Sequence, residues 1–466
     1  GPHNAATQYT HTPSAQVASG RPEGVILFFV DGVNADIFQE MLLAGQLPNI
    51  QHYFVDRGIY VSHATTVTPS ITYPSLISML TGKTPGQHGV VGITWFDRNQ
   101  LVWRDYTKLS QMGMLDQDYT ATTLFEQFPE RSTYSVFLQP HRGATKVFDN
   151  AMSNAPSFAF NMWDQTDRTT LSRMGEVAQL ARTRDRWPAF TVFYLLSPDF
   201  TAYQYGVESD NYRESLIHTD EQLGITLKMI EDIGLLDDVI IGLTSDHGMV
   251  QVNRHFSVEK FLSRDAGLHV AHKHLWENTA FESRLSFYRR YNAVVTPSGN
   301  RYAGVQLRKP AGIVDGKQSY AAWTVRPNAE ELRNYPTTDG GTVDLPVTLV
   351  AEESVAAVAW THRADTIHLL NDEGLVQFAK LADGTIRYTC LEGTDPLGWA
   401  AGGVDADLLA GAPATSRAWQ QATAGLDYAD FPAQLLDYFR ARRAGDLMVL
   451  AGGDYDFRPK NRAGHG

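Results

Sequence analysis

The chain has 466 residues, 43% hydrophobic and 20% charged, as in ordinary globular proteins with room for one large core or a core with an inserted domain. Its 52 acidic and 39 basic residues give a net charge of −13, and no run of Lys and Arg stands out. This balance argues against binding of a long nucleic acid through its phosphates. Cys390 is the only cysteine, which excludes an internal disulfide and a metal site built from a cluster of cysteines.

The first 22 residues read as a segment outside the fold. Gly1-Pro2-His3 resembles a protease-cleavage scar, and residues 4–22 are mostly small or polar, without Lys, Asp or Glu. This composition is typical of the leader of a mature exported protein, so we expect a periplasmic or extracellular location. A cytoplasmic chain also lacks a signal peptide, and that location stays open. No apolar stretch is long enough to span a membrane.

Residues 24–249 alternate between strands and helices. The apolar run 24–30 predicts a strand, and the helical patterns that follow end at Gly45 and Gly82. Two more strands, in FTVFYLLSPD and DVIIGLTSDHG, flank a long helical pattern over residues 210–234. This order predicts an α/β fold with a doubly wound, mostly parallel central sheet.

Beyond about residue 255 the pattern changes. Short alternating runs punctuated by Gly, Asp and Asn predict antiparallel hairpins. A helical pattern and a strand then return near the end of the chain, as if it rejoined the first sheet. We therefore expect a core of residues 23–255 and 441–466, with an inserted β-rich cap subdomain of residues 256–440.

Three of the predicted strands end in an acid, at Asp31, Asp199 and Asp246. Taken alone, Asp31 before a glycine is an ordinary turn or helix cap, and an Asp-His pair at a turn is more often structural. In one parallel sheet, however, the three carboxylates meet at one edge, where repulsion and burial favour a bound cation. With His247 the donor set suits Zn²⁺, whereas oxygen ligands alone would suit Mg²⁺ or Ca²⁺.

Thr72 stands just before a helical run in TVTPSITYPSLISMLTG. A hydroxyl at this place commonly caps the helix by accepting a backbone N–H bond. The free N–H groups and the helix dipole also favour an anion there, so Thr72 is a candidate to meet a phosphate group. Thr68 and Ser70 are rival hydroxyls.

An aromatic cluster follows the Thr72 helix and consists of Trp95, Phe96, Trp103 and Tyr106. Such rings stack on a nucleobase, enclose a choline-like cation or pack in a core. We favour core packing.

These motifs, in this order, resemble the type I phosphodiesterase/nucleotide pyrophosphatase branch of the alkaline phosphatase superfamily. The resemblance rests on ITYPSLISMLTGKTPGQHG, the Pro-Asp pair at 198–199, TSDHGM and the late GHG, and covers roughly residues 24–255 and 444–466. It implies an alkaline phosphatase-like fold and a hydrolase of phosphate esters with two zinc ions about 4 Å apart. A sulfatase relationship is set aside, because Cys390 lacks the Cys/Ser-x-Pro-x-Arg context of those enzymes.

The resemblance also implies roles for single residues. The ligands of one metal match Asp31, Thr72, Asp246 and His247. Two of the three ligands of the other metal match Asp199 and His465. Thr72 would be the nucleophile and would form a phosphothreonine intermediate that water then hydrolyses.

Two positions depart from the family pattern. Tyr203 stands four residues after Asp199, where the pattern has a histidine, and a phenol binds zinc poorly unless it is ionised. Ile93 stands where the pattern has an asparagine that donates to a phosphate oxygen, and its side chain cannot donate. We therefore expect the second metal site, built on Asp199 and His465, to be weak or empty.

Three functions stay open. The leading one is a metal-dependent phosphodiesterase or related phosphoryl hydrolase, whose substrate is a small phosphate ester of the nucleotide or lipid-headgroup type. The second, favoured by Tyr203 and Ile93, is a divergent protein of the same fold that binds with little or no turnover. The third is a phosphoryl-headgroup transferase that uses an alcohol in place of water. Neither the substrate nor the oligomeric state is indicated by the sequence.

Overall fold

The computed structural model describes residues 22–148, 161–272, 275, 278–458 and 461–465, so nearly all of the predicted leader lies outside the described residues. The chain forms two compact units. The first comprises Gly1–Ala64 and Thr122–Val250, and the second Thr65–Ala121 and Gln251–Gly466. Within the described ranges, no helix is both long and apolar enough to cross a membrane.

The bounds of the regular elements are as follows. The first eleven strands are β1 (Gly24–Val30), β2 (Thr94–Asp97), β3 (Val102–Asp105), β4 (Thr133–Val136), β5 (Lys146–Phe148), β6 (Phe190–Leu195), β7 (Val239–Thr244), β8 (Met249–Gln251), β9 (Arg254–His255), β10 (Ala293–Ser298) and β11 (Tyr302–Leu307). The others are β12 (Pro310–Val314), β13 (Lys317–Tyr320), β14 (Tyr335–Pro336), β15 (Thr342–Val343), β16 (Val355–Arg363), β17 (Thr366–Asn371), β18 (Gly374–Lys380), β19 (Ile386–Glu392), β20 (Leu447–Ala451), β21 (Tyr455–Asp456) and β22 (Ala463–His465). The α-helices span Ala35–Leu43, Pro48–Ile50, Thr72–Thr81, Pro85–His88, Leu109–Met112, Trp163–Ser172, Met174–Arg184, Ser197–Tyr205, Asp210–Asp232, Val258–Arg264, Phe281–Tyr288, Ala329–Arg333, Leu345–Val350, Ala406–Leu409, Ser416–Thr423 and Phe431–Tyr438.

The first unit is built on a five-stranded sheet in the order β5-β4-β6-β1-β7, in which every neighbouring pair is parallel. Its central strands are almost continuously apolar, as parallel strands covered on both faces must be. The α/β fold with a parallel central sheet is therefore confirmed.

The register of this sheet brings three carboxyl ends together. Val30 at the end of β1 is paired with Leu195 at the end of β6, and Phe29 is paired with Thr244 at the end of β7. One detail differs from the sequence prediction. The strand ends at Leu195, and Asp199 lies in the first turn of the next helix, because Pro198 is well suited to the start of a helix.

The second unit is built on a seven-stranded antiparallel sheet in the order β10-β11-β20-β16-β17-β18-β19. The strands of residues 256–440 thus lie outside the parallel sheet. The prediction that the chain rejoins the parallel sheet near its end is wrong. The strand β20 pairs antiparallel with β11 on one side and β16 on the other, because a short apolar run fits the middle of either kind of sheet. The segment Thr65–Ala121 also belongs to this unit, so the unit boundaries differ from those we expected.

The aromatic cluster packs in the core of the second unit. Trp95 and Tyr106 belong to one buried cluster, and Phe96 and Trp103 to another. The four rings are between 0% and 4% exposed, so no ring face is open to a nucleobase or a cation from solution. Core packing, the favoured alternative, agrees with this placement.

His88 connects the Thr72 helix to the loop that follows it. Its Nδ1 accepts the backbone N–H of Val90 at 3.2 Å, and its Nε2 lies 3.0 Å from the hydroxyl of Ser78. The ring is therefore neutral, with the proton on Nε2. Burial lowers the pKa of His88 to about 4, against a backbone hydrogen bond at Pro74 that raises it.

This buried neutral ring makes the stability of the second unit fall in acid. The unfolded chain takes up a proton at His88 near pH 6.5, whereas the folded chain does so only near pH 4. Stability is therefore lost as the pH falls through this window, by about 3 kcal/mol in total. We expect His88→Gln to lower the thermal midpoint at pH 7.5 and to lower it much less at pH 4.5. The same substitution at the exposed His218 is the control, and an equal deficit at both pH values would contradict the prediction.

Candidate functional site

The loop after β1 is shaped by Gly32. This residue has φ +68°, and a Cβ atom on it would lie 2.8 Å from the Cα, Cβ and Oδ1 atoms of Asp199. Only glycine meets both conditions at low cost. Its backbone N–H lies 3.3 Å from Oδ1 of Asp246, and its carbonyl accepts the hydroxyl proton of Tyr212 at 2.9 Å. The Asp31-Gly32 pair therefore does more than make a turn, since Gly32 leaves room for Asp199 and its N–H approaches Asp246.

His247 is oriented by its own backbone neighbourhood. Its Nδ1 lies 3.0 Å from the carbonyl oxygen of Gly248 and donates to it. Its Nε2 lies 3.1 Å from Oδ1 of Asp31 and 3.4 Å from Oδ2 of Asp246. Nδ1–H is thus fixed by a backbone carbonyl, as in many metal-binding histidines, and Nε2 faces two carboxylates, which hold a proton on it and would share a cation with its lone pair.

The carboxyl groups of this cluster are buried close together, which makes their negatively charged forms costly. Asp31, Asp199, Asp246 and His247 are all at most 4% exposed. Burial, followed by the charge of Asp31, raises the pKa of Asp246 to about 8, and the same two causes raise the pKa of Asp199 well above its ordinary range. Burial would lower the pKa of His247, but Asp246 and Asp31 raise it to about 10. The cluster thus attracts positive charge strongly.

The donor set fits a cation. One ligand atom each from Asp31, Asp246 and His247 lies within 4.8 Å of the other two, and the ligand atoms of Asp199 and His247 are equally close. The buried Oδ1 atom of Asp199 has no hydrogen-bond partner among the described residues. Two carboxylates and one imidazole match the ligand preferences of Zn²⁺.

Tyr203 lies on the same helix as Asp199, one turn later. The Tyr203 side chain makes a hydrogen bond to the Asp199 carboxylate, which partly opposes the rise of the Asp199 pKa. A phenol that donates its proton in this way is neutral. The residue that replaces the expected histidine therefore interacts with the acid of the second predicted metal site.

Thr72 and His465 belong to the second unit, where they share a neighbourhood. Nδ1 of His465 lies 3.0 Å from the carbonyl oxygen of Ser70, two residues before Thr72. A Cβ on Gly299, which has φ +58°, would lie 2.8 Å from both His465 and Ile71. Thr72 is the first residue of its helix and is 9% exposed, while the N-cap is Ile71, whose side chain cannot accept a hydrogen bond. The capping alternative for Thr72 therefore does not match the helix bounds.

Ile93 also lies in the second unit. Its side chain packs against the buried cluster, and its backbone N–H donates to the hydroxyl of Ser298 at 2.7 Å. The position that the family pattern gives to a side-chain donor thus contributes only backbone bonds and apolar contact.

Tyr194 was missed from the sequence. It lies in β6, and its hydroxyl donates to Oδ2 of Asp31. Burial and the nearby Asp31 raise the pKa of Tyr194 well above its ordinary range, so it stays a donor. The available signal was a phenol inside a buried apolar strand, where the hydroxyl must find a partner.

Known proteins match this chain in sequence and in fold. The family model for type I phosphodiesterase/nucleotide pyrophosphatase matches residues 25–386. A bis(5'-adenosyl)-triphosphatase of Bos taurus is 24% identical over 250 residues, which are 51% of this chain and 50% of the relative. The ectonucleotide pyrophosphatase/phosphodiesterase family member 7 of Rattus norvegicus is 23% identical over 251 residues, 50% of this chain and 51% of the relative.

Among solved structures, human ectonucleotide pyrophosphatase/phosphodiesterase 5 has a TM-score of 0.53 at 13% identity, covering 95% of this chain and 83% of that one. At this identity the similarity shows the fold alone. The chain spans about half the length of the curated relatives it matches. Because the family model covers well over half of the chain, the chain belongs to the type I phosphodiesterase/nucleotide pyrophosphatase family.

Proposed function

We propose that this protein is a metal-dependent phosphodiesterase that cleaves a small phosphate ester of the nucleotide or lipid-headgroup type. The observation that carries the proposal is the buried group of Asp31, Asp246 and His247, whose ligand atoms lie within 4.8 Å of one another. Such a group is costly without a cation, because two of its members are buried carboxylates and the third, His247, faces both of them. Family membership supports phosphodiester chemistry at this group.

The residues divide into two roles. Asp31, Asp246 and His247 would hold one zinc ion together with Thr72, and Asp199 and His465 would contribute to a second position. Bound zinc would supply positive charge that acidifies a hydroxyl and neutralises a phosphate oxygen. The identity of the metal and the number of ions are part of the proposal.

Thr72 is the proposed nucleophile. Its hydroxyl loses its proton and attacks the phosphorus atom in line with the leaving alcohol, the P–O bond to that alcohol breaks, and the alcohol leaves with a proton from solvent. The threonine then carries the phosphate with its remaining ester group. Water attacks this phosphothreonine, the bond from Thr72 to phosphorus breaks, and the phosphate monoester leaves as the hydroxyl is restored. The start of the helix favours the negative charge of the phosphate, because its backbone N–H groups and dipole point toward that end.

Nucleotides are the favoured substrate class. The name of the Bos taurus relative describes a hydrolase of a bis-adenosyl triphosphate. A phosphate-containing substrate is negatively charged, as this chain is, so a bound metal would be needed to offset the repulsion between them. The periplasmic or extracellular location stays a prediction.

A divergent binding protein is the second candidate. Tyr203 is hydrogen-bonded to Asp199, and Ile93 offers no side-chain donor, so both changes fall on the half of the site expected to bind phosphate and the hydrolytic water. The proposed nucleophile half keeps its residues.

The first test replaces the nucleophile. Thr72→Ala should reduce turnover of a nitrophenyl phosphodiester by on the order of a thousandfold or more, because the hydroxyl makes the covalent bond. Circular dichroism should show an unchanged fold. Ser70→Ala is the matched control, since alanine keeps the carbonyl that His465 contacts.

The same assay separates the remaining alternatives. Mass spectrometry of wild-type protein quenched in acid during turnover should find, on Thr72, a phosphate that still carries the remaining ester group of the substrate. Near-normal activity of Thr72→Ala would move the role to Ser70 or Thr68. Product that appears only when an alcohol acceptor is added would favour the transferase, and saturable nucleotide binding without turnover would favour the binding protein.

The second test concerns Tyr203. We expect elemental analysis to find one tightly bound zinc equivalent in the wild-type protein and two in Tyr203→His, because a neutral imidazole is a far better zinc ligand than a protonated phenol. Activity should rise together with the second equivalent. Tyr205→His, on an exposed position of the same helix, is the control. Two tight equivalents in the unmodified protein would show that Tyr203 already serves as a ligand.

A further inference from the structure

The helix that carries Asp199 and Tyr203, Ser197–Tyr205, begins without a side-chain cap of its own. Its N-cap residue is Leu196, which has no polar side chain. The first N–H groups of any helix lack partners within the helix and need acceptors from elsewhere when they are buried. We call this element the ligand helix.

Asp167 supplies those acceptors from another helix. Its Oδ1 accepts the backbone N–H of Leu196 at 2.8 Å, and its Oδ2 accepts that of Ser197 at 2.9 Å. Asp167 lies in the helix Trp163–Ser172 and is 3% exposed. One carboxylate therefore accepts hydrogen bonds from two successive backbone N–H groups, which fixes both the position and the rotation of the first turn of the helix.

A second contact joins the same two helices. The rings of Trp163 and Phe200 are 4.5 Å apart between centroids, with an angle of 34° between their planes. Phe200 directly follows Asp199, and Ser197 precedes it by two residues. The ligand helix is thus held on both sides of Asp199.

The close packing around Asp199 leaves little room for its backbone to shift. Its Cα and Cβ lie so close to Gly32 that a Cβ there would approach within 2.8 Å, so the helix start and the loop after β1 are in tight contact. A small rotation of the first turn would carry the Asp199 carboxylate away from His247, whose ligand atom now lies within 4.8 Å. Outer partners of metal ligands commonly control affinity in this way.

We propose that Asp167 is a positioning residue of the metal centre, which holds the start of the ligand helix so that Asp199 meets the cation. This inference rests on the proposed function. It assigns Asp167 a task beyond helix capping, and no atom of Asp167 takes part in binding the metal or the substrate.

The simpler interpretation is that Asp167 only stabilises the fold, and the chain offers a matched example of that role. Asp220 is also a buried acid on a helix, and it accepts the backbone N–H groups of Asn49 and Ile50 at 3.2 and 2.7 Å at the start of another helix. That helix carries none of the predicted ligands. Asp220 also accepts a hydrogen bond from Nδ2 of Asn49 at 2.8 Å, so Asp220→Asn reports the cost of weakening a buried cap and this side-chain bond, with no predicted ligand involved.

The experiment compares Asp167→Asn with Asp220→Asn and the wild-type protein. The amide that replaces Asp167 offers one acceptor oxygen and presents its NH₂ group to the other backbone N–H. Thermal midpoints are measured without metal, and Zn²⁺ affinity is measured by competition with a chromophoric chelator. We expect both variants to lose thermal stability, and Asp167→Asn alone to lose about 10- to 100-fold in Zn²⁺ affinity.

Amide exchange gives an independent readout in the metal-free protein. Exchange over residues 196–205 should accelerate in Asp167→Asn and stay unchanged in Asp220→Asn. If Asp167→Asn does not fold, Asp167→Glu serves instead, because it keeps the charge and both oxygens but displaces them by one methylene. It should retain the fold and still lower Zn²⁺ affinity.

The outcomes separate the two proposals. A wild-type protein that binds no Zn²⁺ would overturn the proposed function and this inference with it. A wild-type protein that binds Zn²⁺, with equal affinity in a folded Asp167 variant, would overturn the inference alone. Equal losses of affinity in Asp167→Asn and Asp220→Asn would show a general effect of stability and would also overturn it.

Discussion

The burial of three carboxylates at one edge of a parallel sheet is the constraint on which the first unit depends. Asp31, Asp199 and Asp246 lie within reach of one another with almost no access to water, where like charges repel strongly. The surrounding residues partly offset this cost. Tyr194 donates to Asp31, the Gly32 N–H approaches Asp246, and the ring of His247 stands between two acids. These contacts offset only part of the repulsion among the three carboxylates, and a bound cation would offset the rest.

The second unit supplies different chemistry on its own framework. Its antiparallel sheet and aromatic clusters carry no concentration of buried acids comparable to that of the first unit within the described ranges. What it provides is precise backbone placement around the start of the Thr72 helix. Ser70 contacts His465, and Gly299 leaves just enough room between His465 and Ile71. A family that varies its substrate can change such loops without disturbing the acids.

The sequence predicted the parallel sheet and the placement of Asp31 and Asp246 just after its strands, because continuous apolar runs followed by Asp carry both signals at once, whereas Asp199 lies in the first turn of a helix. It also predicted Gly32 as a turn residue but not the reason, since the close approach of Asp199 comes from a residue 167 positions away. The location of β20 was not predictable, because five apolar residues do not reveal whether their neighbours are parallel. Tyr194 and Asp167 were equally hidden, as each acts through a partner that only the folded chain brings close.

The position of β20 has a consequence for the order in which the chain folds. This strand lies near the middle of the seven-stranded sheet, between β11 and β16, yet it comes from Leu447–Ala451. During synthesis, β16 to β19 are made before β20, so the edge of β16 that pairs with β20 has no partner at first. About eighty residues separate the end of β16 from the start of β20, which then covers this edge. The first unit, by contrast, has all its sheet strands once residue 244 has emerged. In chain order, the parallel sheet is therefore complete before the antiparallel sheet, whose inner strand β20 is the last of its seven strands to be made.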